Sequence, residues 1–322
     1  MTRDQSEPAG TPRSERAERA VDIAVRAGNR LGLRADEPRV LHDMFNVLVH
    51  LAPHPVVVRV PSLALVPAEE LAVKQRRELD VVGWLADAGA PVVRPSPLVP
   101  REPVECDGRS LVFWEYVDEK DPMREAAADG MEALEDRFVE QTGWAVELHT
   151  LLAHYPGELP ALSPLVPTLA PLLEALRKDP QGLTPAELDR AEQEYAVLEA
   201  FVADLPGRCP ATRIQALHGD GPSYNLLRTA DGHLFSDFED VTRGPVEWDL
   251  ALVAPRAVAE YERVSGRPVD RSLLGFMEGA RLLQIVGALA VVPSMPELGP
   301  MTAPTIDLWR QRAPLTADVL GH

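Results

Sequence analysis

Helical patterning dominates this chain from about residue 131 onward, except for one interruption between Ile214 and Phe238, and that interruption constrains the fold most. It contains His218-Gly219-Asp220-Gly221-Pro222-Ser223-Tyr224-Asn225-Leu226-Leu227. Gly219, Gly221 and Pro222 disfavour both helix and strand, which places Asp220 on a rigid loop. Leu226 and Leu227 then enter a strand. Asp231-Gly232 signals a hairpin turn, and His233-Leu234-Phe235-Ser236 returns to Asp237. A hairpin of this length brings its open ends together. Asn225 and Asp237 are therefore expected to face one small volume, with Asp220 beside them.

The rest of the chain divides around this segment. Residues 1–14, rich in Pro, Ser, Gly and charge, read as a disordered tail. Residues 14–33 carry apolar groups at mostly helical spacing. Phe45, Val47, Val49 and Leu51 alternate as in a strand, and Pro55 to Val60 reads as a second. A helix is expected over 67–88, punctuated by Pro67 and Gly89. Residues 109–117 form a further strand, rich in aromatic and β-branched types. Helices follow over 131–154 and 184–205, the latter with Thr184 and Glu187 as a capping box, and again from Glu247, read as a first-turn charge. The expected plan is α+β and two-lobed. An N-terminal lobe spans 15–117 with a leading helix, and a helical C-terminal lobe spans 118–322. A ligand cleft is expected between lobes.

Composition narrows the partners. The net charge is −18, from 32 basic and 50 acidic residues, which disfavours nucleic acid and anionic membrane. Cys106 and Cys209 lie far apart and form no metal-spaced pair. The N-terminus has no apolar core of a signal peptide. The longest apolar run, Leu282 to Pro293, is interrupted by Gln284 and is short for a bilayer. A cytoplasmic location is the expectation.

Asp220 and Asp237, with the amide oxygen of Asn225, suit a hard cation such as Mg2+. Phosphoryl transfer needs such an ion at the phosphate oxygens and a carboxylate aimed at the incoming hydroxyl. His-x-Asp-x-x-x-x-Asn followed by Asp-Phe resembles the catalytic loop of protein kinases and their small-molecule relatives. The His-Gly-Asp form is similar to the aminoglycoside phosphotransferase and choline kinase branch. That resemblance covers roughly residues 40–255. It implies a protein-kinase-like fold, a donor ATP or GTP with Mg2+, and a small-molecule hydroxyl acceptor such as an aminoglycoside or another antibiotic, a sugar or an amino alcohol.

Residue by residue, the resemblance implies that Asp220 orients the hydroxyl. Asn225 and Asp237 would hold the metal, and His218 and Asp249 would support the loop. Arg59 would steady the phosphates and pair with Glu78. Glu115 and Tyr116 lie in the strand similar to the purine-binding hinge, and Trp144 to His149 looks like the family's helix ending in Leu-His. Only Asn46 echoes the phosphate-covering turn, since Leu41 to Asn46 contains no glycine. Glu239 and Asp240 stand either as contacts to a cationic acceptor or as solvated loop charges. Two other readings are a nucleotide-binding pseudokinase without turnover, and a metallohydrolase using Asp220, Asp237, Glu239 and Asp240. Oligomeric state is not legible.

Overall fold

The computed structural model describes residues 14–63, 66–120, 128 and 130–316. The described chain falls into two compact units. The first comprises residues up to Gly83 together with Val93–Asp118, and the second Trp84–Val92 together with the chain from Glu119. Most of the expected tail lies outside the described residues. Its last member, Ser14, is not tail: its side chain accepts the Ala17 N–H and caps helix α1, Glu15–Arg30.

The first unit is an antiparallel sheet of five strands in the order β1-β2-β3-β5-β4. These are β1 (Glu37–Asp43), β2 (Asn46–Ala52), β3 (Val56–Pro61), β4 (Val104–Cys106) and β5 (Arg109–Glu115). In β2 the buried residues are Val47, Val49 and Leu51, each alternating with a half-buried one, so one face is committed to a core. Val56, Val58 and Val60 of β3 join that core under Ala20, Ala24 and Ala27 of α1. The intervening Val57 and Arg59 are buried as well, so β3 is covered on both faces. Helix α2 (Ala68–Asp87) reaches that second face. Its Glu78 meets Arg59, and its Gln75 donates to the Ser110 carbonyl at 3.0 Å. Pro67 precedes α2, and Gly89 adopts φ +80° just beyond it, as the punctuation predicted.

The second unit is mainly helical: α3 (Met131–Leu152), α4 (Leu169–Lys178), α5 (Pro185–Ala203), α6 (Leu205–Arg208), α7 (Pro255–Ser265), α8 (Arg271–Ala288) and α9 (Leu298–Gln311). Leu173 and Leu176 of α4, Leu198 and Phe201 of α5, Phe276 and Leu283 of α8, and Trp309 of α9 share one core. A smaller cluster joins Ala257, Val258 and Tyr261 of α7 to Val139 and Val146 of α3. Into this unit is set the predicted interruption. Strand β6 (Gln215–Leu217) pairs antiparallel with β9 (Thr242–Gly244), and the hairpin β7 (Leu226–Thr229) and β8 (Gly232–Phe235) lies between them in sequence. The chain enters the loop at His218 from β6 and leaves by β9, so a single strand pair closes the base of the segment.

Three expectations need correction. The hairpin turn is one residue earlier than predicted: Thr229 pairs with Gly232, so Ala230 and Asp231 form the turn. Thr229 Oγ1 accepts the Asp231 N–H at 3.2 Å, which stabilises that register. Glu247 does stand in a first turn, but of the short 3-10 helix Val246–Trp248 and not of an α-helix, and it is 3% exposed, accepting the Asp270 N–H at 3.1 Å. Burial pushes its carboxyl above the usual range. The run Leu282–Pro293 is short, but the helical stretch Arg271–Val291 holding most of it reaches membrane-spanning length and hydropathy. The most apolar part of that stretch is 67% buried within the protein, which accounts for the composition.

The capping box forms as predicted. Thr184 Oγ1 accepts from Glu187 N–H, and the Glu187 carboxylate accepts from the Thr184 N–H at 2.7 Å. Replacing Thr184 by Ala is expected to lower stability by about 1 kcal/mol in urea unfolding, with Thr184→Ser retaining most of it.

Candidate active site

The loop after β6 is fixed mainly through its backbone. Asp249, fully buried, accepts the His218 N–H at 2.9 Å and the Gly219 N–H at 2.8 Å. His149 Nε2 lies 3.0 Å from the same carboxylate, and its Nδ1 lies 2.9 Å from the Tyr261 hydroxyl. An ionised Asp249 can only accept, so His149 carries its proton on Nε2 and Tyr261 donates to Nδ1. Burial pushes the Asp249 carboxyl up. The hydrogen bonds from His149 and from the Gly219 N–H outweigh it and hold the group below the usual carboxylate range. The Gly219 carbonyl accepts from Trp248 Nε1 at 2.7 Å. A Cβ on Gly219, at φ +93°, would lie 1.9 Å from the Asp240 carbonyl oxygen, so only glycine fits.

His218 is equally committed. Its Nε2 lies 2.8 Å from the Ser236 carbonyl, and its Nδ1 accepts the Asp220 N–H at 3.3 Å. That places the proton on Nε2 and occupies both ring nitrogens. Helix α3 holds the far end of the loop, where Gln141 donates to the Ser223 carbonyl at 2.6 Å.

Out of this buried frame Asp220 projects with its side chain half exposed. Desolvation on its covered side pushes its carboxyl up, as do Asp240 and Glu239, while Arg281 opposes them, and the net shift is upward. Asn225 Nδ2 donates to the Asp220 carbonyl at 2.8 Å and lies 3.5 Å from its Oδ2. The Asn225 carboxamide oxygen takes no hydrogen bond among the described residues, which suits a cation ligand. The Asn225 carbonyl accepts the Ser236 N–H at 2.9 Å. The backbone at Asn225 is thus tied to the residue before Asp237. Asp237 is exposed and left-handed, at φ 60° and ψ 57°, before a 3-10 turn at Phe238–Asp240. Asp tolerates that conformation better than most residues, and it turns the chain out of the strand line.

In the first unit, Arg59 and Glu78 form a buried ion pair, with Nη1 to Oε1 at 2.8 Å and a second bond from Nη2 to Oε2. Their side chains are 5% and 0% exposed, so this is not a surface pair. Asn46 begins β2, and its carbonyl accepts the Met44 N–H. The glycine-free turn before it is tied down: Ser62 N–H donates to the Phe45 carbonyl, and Asp43 is hydrogen-bonded by Ser14 and Arg16. Glu115 N–H donates to the Arg94 carbonyl and Tyr116 N–H to the Pro55 carbonyl. Both amides are therefore already engaged within the first unit. The Tyr116 ring stacks on His50 at 4.0 Å.

Sequence reasoning missed Arg281 of α8, which meets Asp220 Oδ1 at 3.1 Å. The available signal was a lone guanidinium amid the core residues Met277, Ala280, Leu282 and Leu283. Trp248, whose indole donates to the Gly219 carbonyl, and Tyr224, whose ring packs on Phe138 at 4.7 Å, also belong to the loop's surroundings. Among the described residues, no group of three or more His, Cys, Asp or Glu side chains is arranged to hold a metal, so the metallohydrolase reading gains nothing.

Asp249→Asn is expected to cost about 3 kcal/mol at neutral pH, because an amide nitrogen would face N–H donors in a buried site. The lowered carboxyl makes this contribution complete above the unfolded pKa of about 3.9 and lost as pH falls through the folded value. The gap between wild type and variant in urea unfolding should narrow on acidification.

Comparison with known proteins bears on the family and the fold. Residues 46–276, well over half the chain, match the model of the phosphotransferase enzyme family. No curated protein matches the sequence. Among solved structures, the choline kinase LicA from Streptococcus pneumoniae superposes with TM-score 0.60 at 14% identity, over 90% of this chain and 99% of that one. An amicoumacin kinase bound to AMP-PNP and Ca2+ gives 0.62 at 12%, over 93% and 96%. A microcompartment-associated aminopropanol kinase gives 0.59 at 17%, over 90% and 97%. At such identities the likeness carries the fold alone, and the fold is that of the protein-kinase-like small-molecule kinases. With its sequence match spanning β2 to α8, the chain belongs to the phosphotransferase enzyme family.

Proposed function

We propose that this chain transfers the γ-phosphoryl group of ATP or GTP to a hydroxyl of a small molecule, with Asp220 orienting and deprotonating that hydroxyl. The observation that carries the reading is the loop geometry. Every polar backbone group of Gly219 is engaged and both nitrogens of His218 are occupied, yet the carboxylate of Asp220 is left half exposed beside Asn225. Asn225 and Asp237 supply an amide oxygen and a carboxylate at one end of the hairpin, a donor set that fits Mg2+. A bound Mg2+ would neutralise the phosphate oxygens. In the first unit, Arg59, oriented by Glu78, would bind the donor phosphates, and a guanidinium can do so bidentately. Asn46, Glu115 and Tyr116 would complete the nucleotide contacts. Positioning and charge neutralisation supply most of the rate in such chemistry.

The acceptor class follows from less. The net charge of −18 and the acidic pair Glu239 and Asp240 favour a cationic alcohol, such as an aminoglycoside, choline or an amino alcohol. A role in antibiotic resistance would follow from the first of these. The second reading, a nucleotide-binding module without turnover, is favoured only by the glycine-free turn at Met44 and Phe45.

The test is nucleoside diphosphate release with Mg2+ and ATP or GTP, across a panel of aminoglycosides, choline, aminopropanol and amicoumacin. Asp220→Ala is expected to lower kcat by about 100-fold or more while calorimetric affinity for Mg-nucleotide stays within about twofold. Near-wild-type turnover in that variant would remove Asp220 from the mechanism. Asp237→Ala should weaken Mg-nucleotide binding at least about tenfold, and an unchanged affinity would count against its role as a metal ligand.

A further inference from the structure

Arg281 is 8% exposed, and its guanidinium is held on every side. Nη1 donates to Asp220 Oδ1 at 3.1 Å and to Gln284 Oε1 at 2.8 Å. Nη2 donates to the Gly219 carbonyl at 3.2 Å. The guanidinium carbon lies 3.7 Å from the centroid of the Trp248 ring, and the Trp248 indole donates to that same carbonyl. The cation is therefore fixed in plane by three acceptors and out of plane by a ring. A buried guanidinium needs such partners, but Gln284 and the Gly219 carbonyl would already supply two. The third is the side chain that the proposed reaction uses.

The consequence for Asp220 is asymmetric. Oδ1 is bound to Arg281, whereas among the described residues Oδ2 takes only the 3.5 Å contact from Asn225. We infer that Arg281 is a positioning residue for phosphoryl transfer: it locks the Asp220 rotamer so that Oδ2 alone receives the acceptor's proton. This rests on the kinase reading above. In the step, the acceptor O–H proton passes to Oδ2 and the acceptor oxygen bonds to the γ-phosphorus. The bond from that phosphorus to the bridging oxygen breaks, and nucleoside diphosphate leaves. The same pairing bears on the acceptor. A carboxylate already matched to a guanidinium is a poor anchor for an ammonium group, so a cationic acceptor would be held by Glu239 and Asp240 and present only its hydroxyl to Asp220.

The probe reaction is Mg-dependent ATP hydrolysis by the full chain, in which water replaces the acceptor; where GTP is the donor or hydrolysis is too slow, the same variants are read with that nucleotide and an acceptor of the panel. Arg281→Met is expected to lower kcat about 10- to 100-fold, the penalty for a misplaced catalytic group, with KM for Mg-ATP within about twofold. Arg281→Lys keeps the buried charge, so it carries the test even where the methionine variant does not fold. Lysine cannot grip Oδ1 and the Gly219 carbonyl together while lying flat on Trp248, so about a tenfold loss should remain. In an Asp220→Asn background, either Arg281 substitution should cost less than about twofold more. Full activity in Arg281→Lys would show that charge alone suffices and overturn the inference. An equal cost in both backgrounds would overturn it too, since Arg281 would then act elsewhere than through Asp220. If Asp220→Asn loses hydrolysis and the Arg281 variants keep it, only this inference falls. If Asp220→Asn turns over like wild type, or wild type yields no nucleoside diphosphate from either ATP or GTP with water or any acceptor of the panel, the kinase reading falls and takes the inference with it.

Discussion

The second unit's chemistry depends on one buried carboxylate. Asp249 sits at 0% exposure and is kept ionised by two consecutive backbone N–H groups and an imidazole. Such a group costs several kcal/mol to bury and is tolerated only when all its partners are in place. The relation therefore runs in both directions. The loop gives Asp249 its donors, and Asp249 gives the loop its conformation. His149 brings α3 into the arrangement and Tyr261 brings α7, so the packing of two helices fixes the position of residues 218 and 219.

Each unit contains an arginine–carboxylate pair with a positional role, and the two differ in exposure. Arg59 and Glu78 are both buried, so neither can leave without stranding the other. In the pair of Arg281 with Asp220, the guanidinium is buried and the carboxylate is half exposed. The first arrangement holds a cation still inside the unit. The second holds an anion still while leaving one of its oxygens reachable. Both exploit the planar fork of arginine, which fixes direction as well as charge.

Features with a local physical cause were legible in the sequence. The capping box, the punctuation of α2 by Pro67 and Gly89, and the loop enforced by Gly219, Gly221 and Pro222 need no tertiary information. The alternation in β2 was readable because one face is buried throughout. Edge strand β1 was not, since none of its residues is buried and the alternation of half-buried Pro38 and Val40 with exposed neighbours breaks at the bulge between Val40 and His42. Helix α4 escaped notice in a Pro-rich stretch, although Pro171 falls in its first turn, where proline costs little. Of the site, the residues inside the loop and hairpin could be named, because their spacing is local. Arg281 lies 61 positions beyond Asp220, and only the packing of α8 brings it there. The hairpin register slipped by one because Thr229 stabilises a turn that the Asp231-Gly232 signal alone would not choose.

The missing Cβ of Gly219 has a wider effect. The Asp240 carbonyl occupies the space a methyl group would need, so the loop bearing Asp220 and the turn bearing Glu239 and Asp240 are in van der Waals register with no slack. They behave as one casting, and neither can be reshaped without the other. Diversification toward new acceptors is thereby channelled away from the main chain. It must proceed by exchanging side chains on a frozen template, and Tyr224, held at its base by Phe138 and exposed at its edge, is the position where such an exchange meets least resistance.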